Sequence, residues 1–359
     1  MKIICLIDNL GSGGAQRQLT NLAILFKEAG HDVEVLTYHS ADFFLPILSE
    51  NHIKYTCINQ PNYIKRLIKL RKYLRSSNQD AVLSFLDTPN FIALLSAIGS
   101  KKWKLVVSER SCKEENFRNT KTRFIKKFYV FADYIVANSE NAANMWRKYY
   151  PNLNDKIKVI YNTIDINIDE NISYISKKNG KLNMVIAASY QTVKNPLNFI
   201  AAINNLTDYE KEQIFVNWYG ELDFPYSIYK DVENKIKECN LENVVSLNPA
   251  TNQILSIMKR SDIVGIFSIL EGLPNSICEA MCLGKPIIMT RVSDYKILVD
   301  DTNGFLCDSD DIASITAAIR SAIFTRNEKL QDMGHNSYEK SKKLFFTEKI
   351  VKNFIELFK

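Results

Sequence analysis

Apolar runs of strand length alternate with amphipathic helical segments from the first residue of this chain. Residues 2–7 are mostly apolar, 9–14 form a glycine-containing turn, 16–29 have the pattern of an amphipathic helix, and 33–37 are apolar again. Such runs recur at residues 81–86, 105–108, 134–137, 158–161, 182–188, 214–219, 244–247, 263–268 and 286–289. Strands that alternate with helices predict βαβ units, and therefore an α/β fold with parallel sheets.

One polar segment interrupts this alternation. Residues 165–181 are rich in Asn, Ser, Lys and Asp, which is typical of a linker. The chain has 359 residues, which is enough for two domains of ordinary size. We therefore predict a first domain over residues 1–163 and a second over residues 164–344, each built on a doubly wound sheet. Such sheets bind ligands where the carboxyl ends of their strands meet.

The most informative motif follows the apolar run at residues 263–269. It reads Glu271-Gly-Leu-Pro-Asn-Ser-Ile-Cys-Glu279. Pro274 suits the first turn of a helix, because its missing N–H costs nothing there, and Gly284 suits a helix end. The pattern therefore predicts a helix over about residues 275–283.

The start of this helix predicts an anion site. Free backbone N–H groups and the positive end of the helix dipole would lie at Asn275 and Ser276, where a phosphate could bind. Glu271 precedes the site and Glu279 lies one turn further along the same face. Carboxylates on each side of an anion site suit a nucleotide sugar, whose hydroxyls flank a diphosphate. The alternative is an ordinary helix start with two surface glutamates.

The motif also resembles the signature segment of the retaining glycosyltransferases of family 4, also called group 1. The residues that carry the resemblance are Glu271, Gly272, Pro274, Asn275, Ser276, Glu279, Ala280, Met281, Gly284, Pro286 and Ile287. Five further segments resemble that family in its own order, at residues 13–17, 136–140, 159–165, 194–196 and 303–306, the last as a turn. The chain is thus similar to enzymes of the bacterial surface-polysaccharide type over nearly its whole length. The resemblance implies the GT-B architecture, in which two Rossmann-like domains face a central cleft and the last helix, here about residues 345–359, returns to the first domain.

The resemblance also implies a reaction and roles for particular residues. A hexose or N-acetylhexosamine would pass, with retention, from a nucleotide diphosphate sugar, here UDP-linked, to a saccharide that is itself lipid-linked. Lys194 would neutralise the leaving diphosphate, Glu271 would bind hydroxyls of the reacting sugar, and Glu279 would accept hydrogen bonds from the ribose. The other implied donor contacts are Gly13, Gly14, Gly272, Asn275 and Ser276. No cofactor and no metal ion is implied, since no Asp-X-Asp cluster with metal-ligand spacing follows a strand.

Two positions depart from the family pattern. Many relatives carry an arginine five residues before the lysine, where this chain has Ser189. Many also place a histidine near the reacting sugar, where this chain has Glu109-Arg110-Ser111. Glu109 and Arg110 are therefore possible acceptor or phosphate contacts, or Arg110 could simply pair with Glu109. Ser189 also supports the alternative hypothesis, a sugar-nucleotide-binding protein that transfers nothing. A hydrolase or epimerase on this fold would need a better-placed histidine or acid pair.

Other function classes fit the sequence less well. The glycine turn at residues 11–16 lacks the third glycine of a dinucleotide fingerprint, and residues 37–39 lack the carboxylate that would bind a ribose, which disfavours NAD. Seven scattered cysteines predict a reducing compartment, and Cys278 with Cys282 predict a core pair rather than a metal site. The longest apolar stretch, residues 91–98, is too short to span a bilayer. We therefore predict a cytoplasmic protein.

Charge is concentrated in the first domain. Residues 1–163 have a net charge of +10 and the remainder −4, within a total of +6. Residues 65–75 hold six basic residues and no acid, and residues 118–127 are a second basic stretch. If residues 65–75 form a helix, one side of it would carry Ile64, Leu67, Ile68, Arg71 and Leu74. Contact with anionic lipid at the inner face of the cell membrane and a solvated outer helix face are equally supported. Nucleic acid is disfavoured because no binding motif accompanies the charge.

Overall fold

The chain folds into two compact units. The computed structural model describes residues 1–110, 114–164, 180–222 and 226–359. Contacts assign Met1–Asp165 together with Phe346–Lys359 to one unit and Ile166–Phe345 to the other. The predicted linker at residues 165–181 lies almost wholly outside the described residues.

The first unit contains a parallel sheet. Its described strands are β1 Lys2–Leu6, β2 Asp32–Thr37, β3 Lys54–Cys57, β4 Ala81–Phe85, β5 Lys104–Glu109, β6 Tyr134–Ala137 and β7 Ile157–Val159. They pair in parallel in the order β3-β2-β1-β4-β5-β6-β7. The order reverses direction between β1 and β4, which makes the sheet doubly wound and creates a switch point at that position.

Helices connect these strands. They are α1 Gly14–Glu28, α2 Leu45–Glu50, α3 Tyr63–Ser76, α4 Asp87–Ala97, α5 Glu115–Arg118, α6 Thr120–Lys126 and α7 Glu140–Tyr149, with 3₁₀ turns at Lys127–Phe131 and Pro151–Lys156. Predicted strand and helix positions in this unit are confirmed, except that β3 was missed. Its four residues, Lys-Tyr-Thr-Cys, are polar at one end and lie at the sheet edge, so they carry little apolar pattern.

The second unit repeats the same winding. Its described strands are β8 Leu182–Ala187, β9 Ile214–Gly220, β10 Val245–Pro249, β11 Ile263–Ile266, β12 Ile287–Thr290 and β13 Gly304–Cys307. They are ordered β10-β9-β8-β11-β12-β13 with parallel neighbours. The helices are α8 Pro196–Asn204, α9 Asp208–Glu212, α10 Tyr229–Glu238, α11 Ile254–Lys259, α12 Asn275–Cys282, α13 Tyr295–Leu298, α14 Ile312–Phe324 and α15 Asn327–Phe345. The predicted doubly wound α/β architecture is therefore confirmed.

The segment expected to be a late turn is a strand instead. Gly304 begins β13 beside Ile287, and a Cβ at Gly304 would lie 2.3 Å from the Ile287 carbonyl oxygen. The glycine is thus required by the close approach of β12, rather than by a turn.

The last helix, α16 Thr347–Leu357, belongs to the first unit. Phe354 and Phe358 are buried, and their rings meet Phe26 of α1 edge-on with centroids 6.0 and 5.6 Å apart. The hydrophobic core of the first unit therefore contains residues from both ends of the chain. None of the described helices is both long enough and apolar enough to cross a bilayer.

The packed face of α3 differs from the predicted one. Its buried residues are Arg66, Leu70 and Leu74, whereas Ile64 and Ile68 are 65% and 60% exposed. Arg66 sets this rotation: its guanidinium lies over the Tyr38 ring and 2.8 Å from His39 Nε2.

Two further arginines of α3 are also bound by the fold. Arg71 donates hydrogen bonds to the Leu95 and Ile98 carbonyls, and Arg75 donates to Ser96, Ile98 and Ser100. The exposed basic residues of α3 are Lys65, Lys69, Lys72 and Arg75, of which Arg75 is held by the carbonyls named above.

Candidate functional site

Lys194 and Glu271 form an ion pair at the carboxyl edge of the second sheet. Lys194 ends a 3₁₀ turn that follows β8, and Glu271 lies in the loop between β11 and α12. Because β8 and β11 are neighbours where the strand order reverses, both loops leave the sheet at the same place. Lys194 Nζ lies 2.6 Å from Glu271 Oε1.

Hydroxyl groups from the strand ends hold this pair in position. Ser268 Oγ donates to Glu271 Oε1 at 2.6 Å, and Thr290 Oγ1 donates to the Ser268 carbonyl at 2.6 Å. Ser293 Oγ donates to the Gly272 carbonyl at 2.5 Å. These three residues are not predictable from the sequence, because small hydroxyl side chains are common after apolar runs and have no characteristic spacing.

The backbone after Lys194 is also fixed. Asn195 adopts a left-handed conformation with φ of 63°, which asparagine tolerates better than most residues. Its Nδ2 donates to the Ser309 carbonyl at 2.7 Å, and Pro196 then begins α8. The main chain of Val193 accepts a hydrogen bond from Ile269 N at 2.8 Å, which ties the lysine turn to the Glu271 loop.

Helix α12 spans Asn275–Cys282, close to its predicted range. Pro274 caps its N-terminus, and Gly284 follows it in a left-handed conformation with φ of 65°. Glu279 and Glu271 are each only 9% exposed. The alternative of two surface glutamates is therefore wrong, and α12 presents its N-terminus between two largely buried carboxylates.

Ser189, five residues before Lys194, is bound within its own turn. Its Oγ donates to Gln191 Oε1 at 3.1 Å. The following residue, Tyr190, is buried and its hydroxyl contacts the Trp218 and Asn248 carbonyls. Tyr190 therefore anchors this segment in the hydrophobic core of the second unit. Position 189 itself carries no positive charge.

Gly13 and Gly14 lie at the start of α1 in the first unit. Gly13 is the N-cap residue, and a Cβ there would lie 2.2 Å from Gln16 Oε1. Gln16 in turn donates to Asp8 Oδ1 at 3.2 Å, and Gly11 N donates to Asn9 Oδ1 at 2.8 Å. The turn is thus held by side-chain hydrogen bonds of Asn9 and Gln16, and a side chain at position 13 would have to displace the Gln16 amide.

Glu109 is part of a buried cluster at the end of β5. Its carboxylate lies 3.2 Å from Lys126 Nζ, and the two side chains are 3% and 2% exposed. Tyr129 and Asn90 also donate hydrogen bonds to it. The ammonium of Lys126 lies over the rings of Phe117, Tyr129 and Trp146, at 4.8, 5.3 and 4.3 Å from their centroids.

Arg110 takes a different environment from its neighbour. Its guanidinium lies 4.4 Å above the Phe85 ring, and burial lowers the pKa of Arg110 to about 9, so it remains cationic at neutral pH. The Glu109 carboxylate pairs with Lys126 instead. Ser111, the third residue of that segment, lies outside the described residues.

The cysteine pair on α12 is buried and reduced. Cys278 and Cys282 are both free, and burial raises the pKa of Cys282 to about 12. Within the part of the chain that the structure describes, no group of three or more His, Cys, Asp or Glu side chains is arranged to hold a metal ion. The two thiols are core residues of the α12 helix.

The sequence matches two family models in tandem. The model described as Glycosyltransferase Family 4 matches residues 12–168, and the model described as Glycosyl transferases group 1 matches residues 167–340. This chain belongs to the family 4 glycosyltransferases. The predicted family is therefore confirmed, and the ion pair at Lys194 lies within the group 1 half.

Curated relatives align with most of the chain. A Campylobacter jejuni enzyme named GalNAc-α-(1→4)-GalNAc-α-(1→3)-diNAcBac-PP-undecaprenol α-1,4-N-acetyl-D-galactosaminyltransferase is 25% identical over 95% of this chain and 94% of its own. An Escherichia coli enzyme named UDP-Gal:α-D-GlcNAc-diphosphoundecaprenol α-1,3-galactosyltransferase is 26% identical over 83% of this chain and 79% of its own.

Solved structures show the same fold. Anabaena HepE, crystallised with UDP and glucose, superposes with a TM-score of 0.83 at 20% identity and covers 99% of this chain and 98% of its own. The lipopolysaccharide outer core galactosyltransferase WaaB superposes with a TM-score of 0.78 at 15% identity, covering 99% of both chains. The family 4 enzyme described here therefore has the two-domain GT-B fold that its sequence predicted.

Proposed function

We propose that this glycosyltransferase moves a hexose or N-acetylhexosamine, with retention, from a UDP-linked donor to a lipid-linked saccharide during surface-glycan assembly. Both curated relatives are named for acceptors on undecaprenyl diphosphate, and the E. coli relative is named for UDP-galactose. HepE was crystallised with UDP. These names support the donor and acceptor classes that the sequence predicted.

The observation that carries the proposal is the Lys194–Glu271 pair beside the start of α12. When the bond between C1 and the diphosphate oxygen breaks, negative charge grows on the leaving group. Lys194 supplies a cation beside that charge, in a partly buried setting where electrostatic stabilisation exceeds its value in water. Glu271, which already accepts from Lys194 and Ser268, would accept a hydroxyl of the reacting sugar with its carboxylate.

Helix α12 would bind the rest of the donor. The backbone N–H groups at Gly272, Asn275 and Ser276 are proposed to contact the diphosphate, assisted by the helix dipole. Glu279, one turn further, is proposed to accept hydrogen bonds from the ribose hydroxyls. The proposal includes no cofactor and no divalent ion, because Lys194 and the helix N-terminus supply the positive charge.

Contacts from the first unit remain predictions. Gly13 and Gly14 are proposed to let the donor approach the main chain, and Arg110 is proposed to meet an acceptor or a phosphate. Glu109 is less suited to a direct contact, because Lys126, Tyr129 and Asn90 already bind its carboxylate.

We also propose that the first unit contacts an anionic membrane through α3, on the cytoplasmic side. Ile64 and Ile68 are exposed beside Lys65, Lys69 and Lys72, so apolar and cationic side chains share one solvent-facing strip. Such a strip suits the boundary between headgroups and acyl chains. A lipid-linked acceptor would be presented at that same boundary.

The test is transfer from a panel of UDP-sugars to a short synthetic saccharide on undecaprenyl diphosphate, with and without a chelator. We expect one donor to give a product whose new bond has the anomeric configuration of the donor by NMR, at a rate that the chelator leaves unchanged. An inverted product would exclude retention, and activity that depends on added metal would exclude metal independence.

The alternative is a binding protein that transfers nothing, supported by Ser189 in place of arginine. It predicts thermal stabilisation by a UDP-sugar without donor hydrolysis or transfer. A ligand at 100 times its dissociation constant stabilises a fold by about 2.7 kcal/mol, so binding is measurable by itself. Stabilisation without turnover across the panel would favour this alternative.

A further inference from the structure

A pocket of about 550 Å³ lies in the first unit among the starts of three helices. Its lining includes Tyr63 of α3, Asp87, Thr88 and Phe91 of α4, Thr122 of α6, and Tyr129. Its volume falls within the range of about 300–1,000 Å³ typical of sites for small molecules.

The pocket lies at the ligand-binding edge of the sheet. Strand β4 ends at Phe85 and α4 begins at Asp87, so the first turn of α4 follows the carboxyl end of a strand at the switch point. Leu86, between them, has φ of 75° and ψ of 155°, a conformation that residues other than glycine rarely adopt. Strain of this kind is kept where the fold must fix neighbouring side chains, here Asp87 and Thr88.

The charges of the pocket disfavour an anionic occupant. Lys126 lines the pocket, but its ammonium is paired with Glu109 and enclosed by three aromatic rings. Asp87 offers a carboxylate, and desolvation and the neighbouring Glu109 charge raise the pKa of Asp87. With Lys121 also on the lining, positive and negative charges balance, so a phosphate gains no net attraction.

The remaining lining suits a neutral saccharide. A sugar ring has an apolar face of C–H groups and an edge of hydroxyls. Tyr63 and Phe91 offer aromatic surface to the face, while Thr88, Thr122 and Asp87 offer polar groups to the hydroxyls. Ile64 of α3 and Phe124 of α6 are exposed apolar residues on the same two helices that contribute Tyr63 and Thr122 to the pocket.

We propose that this pocket binds a neutral sugar residue of the acceptor, with Asp87 accepting a hydrogen bond from a sugar hydroxyl and Tyr63 contacting the sugar face. The proposal rests on the proposed function for the identity of the acceptor, and it assigns the acceptor subsite to residues of the first unit.

The first test compares Asp87→Asn, Tyr63→Ala and Tyr63→Phe in the transfer assay. Loss of one charge-assisted hydrogen bond predicts a rise of about tenfold to a hundredfold in KM for the acceptor in Asp87→Asn, larger than any change in kcat. Tyr63→Ala should raise the same KM, and Tyr63→Phe should restore it, because the ring remains. Asp155→Asn, an exposed acid elsewhere in the first unit, is the matched control. Parent values of acceptor KM in both Asp87→Asn and Tyr63→Ala would overturn the pocket and leave the proposed function standing.

The second test needs no turnover. Saturation-transfer NMR on the full chain, with methyl α-glycosides of glucose, galactose, N-acetylglucosamine and N-acetylgalactosamine, should show binding of at least one glycoside to the parent. Binding should weaken about tenfold or more in Asp87→Asn. If no glycoside binds, or if inorganic diphosphate binds the pocket while the glycosides do not, the proposal is overturned. If glycosides bind but no UDP-sugar is ever transferred, the proposed function fails and the saccharide pocket stands.

Discussion

At the scale of single residues, Lys194 and Glu271 are 77 positions apart and yet form one hydrogen-bonded ion pair. Glu271 also accepts from Ser268, so its carboxylate keeps a polar partner if the lysine is removed. This arrangement allows the role of the lysine in the reaction to be separated from any role in folding.

Lys194→Ala is expected to lower kcat by about a hundredfold to a thousandfold while the melting temperature stays near that of the parent. The loss is expected because the lysine stabilises charge that grows in the transition state, as a single oxyanion donor does in other enzymes. Steady-state transfer kinetics and thermal unfolding are the measurements, with Lys230→Ala on the exposed face of α10 as control. Parent-like turnover in Lys194→Ala would remove the lysine from the mechanism.

Glu271→Gln and Glu279→Gln are expected to differ in kind. Each replacement keeps the shape of the side chain and removes a charge-assisted acceptor, at a cost of about tenfold to a hundredfold. The loss should appear in donor KM for Glu279→Gln and in kcat for Glu271→Gln, because the first contacts the ribose and the second the reacting sugar. If both variants change only donor KM, Glu271 has no role in the chemical step.

At the scale of elements, α3 combines three arginines that the fold binds with an exposed strip of lysines. Arg66, Arg71 and Arg75 are bound to aromatic rings or carbonyls of the fold. Of its six basic residues, Lys65, Lys69, Lys72 and Arg75 are exposed, and the three lysines lie beside the exposed Ile64 and Ile68. The guanidinium groups of the three arginines are engaged by the fold, so the three exposed lysines carry the charge that is proposed to meet a membrane.

Changing Lys65, Lys69 and Lys72 together to Gln is expected to weaken binding to anionic vesicles by about a hundredfold. Each lysine near such a surface contributes about 1 kcal/mol, and the attraction is screened beyond about 8 Å at physiological ionic strength. Vesicle sedimentation with and without anionic lipid, at low and high salt, is the measurement.

The matched control changes Lys230, Lys237 and Lys329 to Gln, which removes the same charge from exposed positions of the second unit. Equal sedimentation of both triple variants, or a parent that ignores lipid charge, would show that α3 is a solvated helix face. A water-soluble acceptor would then be as well supported as a lipid-linked one.

At the scale of the whole molecule, the first unit takes its core from both ends of the chain. Phe354 of α16 is 1% exposed and packs edge-on against Phe26 of α1. The second unit has a core of its own, formed by residues from β8 to α15. Two cores in one chain mean that unfolding need not be a single transition.

Phe354→Ala is expected to destabilise the first unit by about 3–5 kcal/mol, because it leaves a cavity in a packed core. In calorimetry or denaturant unfolding, the transition of the first unit should shift and that of the second should not. The transition of the second unit is identified as the one that added UDP stabilises. Phe324→Ala, at a position that is 55% exposed, is the control and should shift neither. An equal shift of both transitions would show that the two units unfold together.

Much of this fold follows from local pattern. The strands of both sheets, the α12 helix and its glycine end are predictable because apolar period, proline and glycine act within a few residues. The segments that resemble the family are recognisable for the same reason, since each is a short turn or strand end. The edge strands β3 and β13 escaped prediction, because each has only four residues, β3 is polar at one end, and the Asn-Gly at the start of β13 is typical of a turn.

The sequence by itself thus determined the βα alternation, the two sheets and the residue types of the candidate site. Only the tertiary structure decided which of those residues meet: Lys194 reaches Glu271 because β8 and β11 are neighbours, and Glu109 pairs with Lys126 rather than with Arg110. It also decided that Arg66 turns α3 so that Ile64 and Ile68 face solvent. Strand order and helix rotation depend on packing between segments distant in sequence, and the periodicity of one segment does not contain that information.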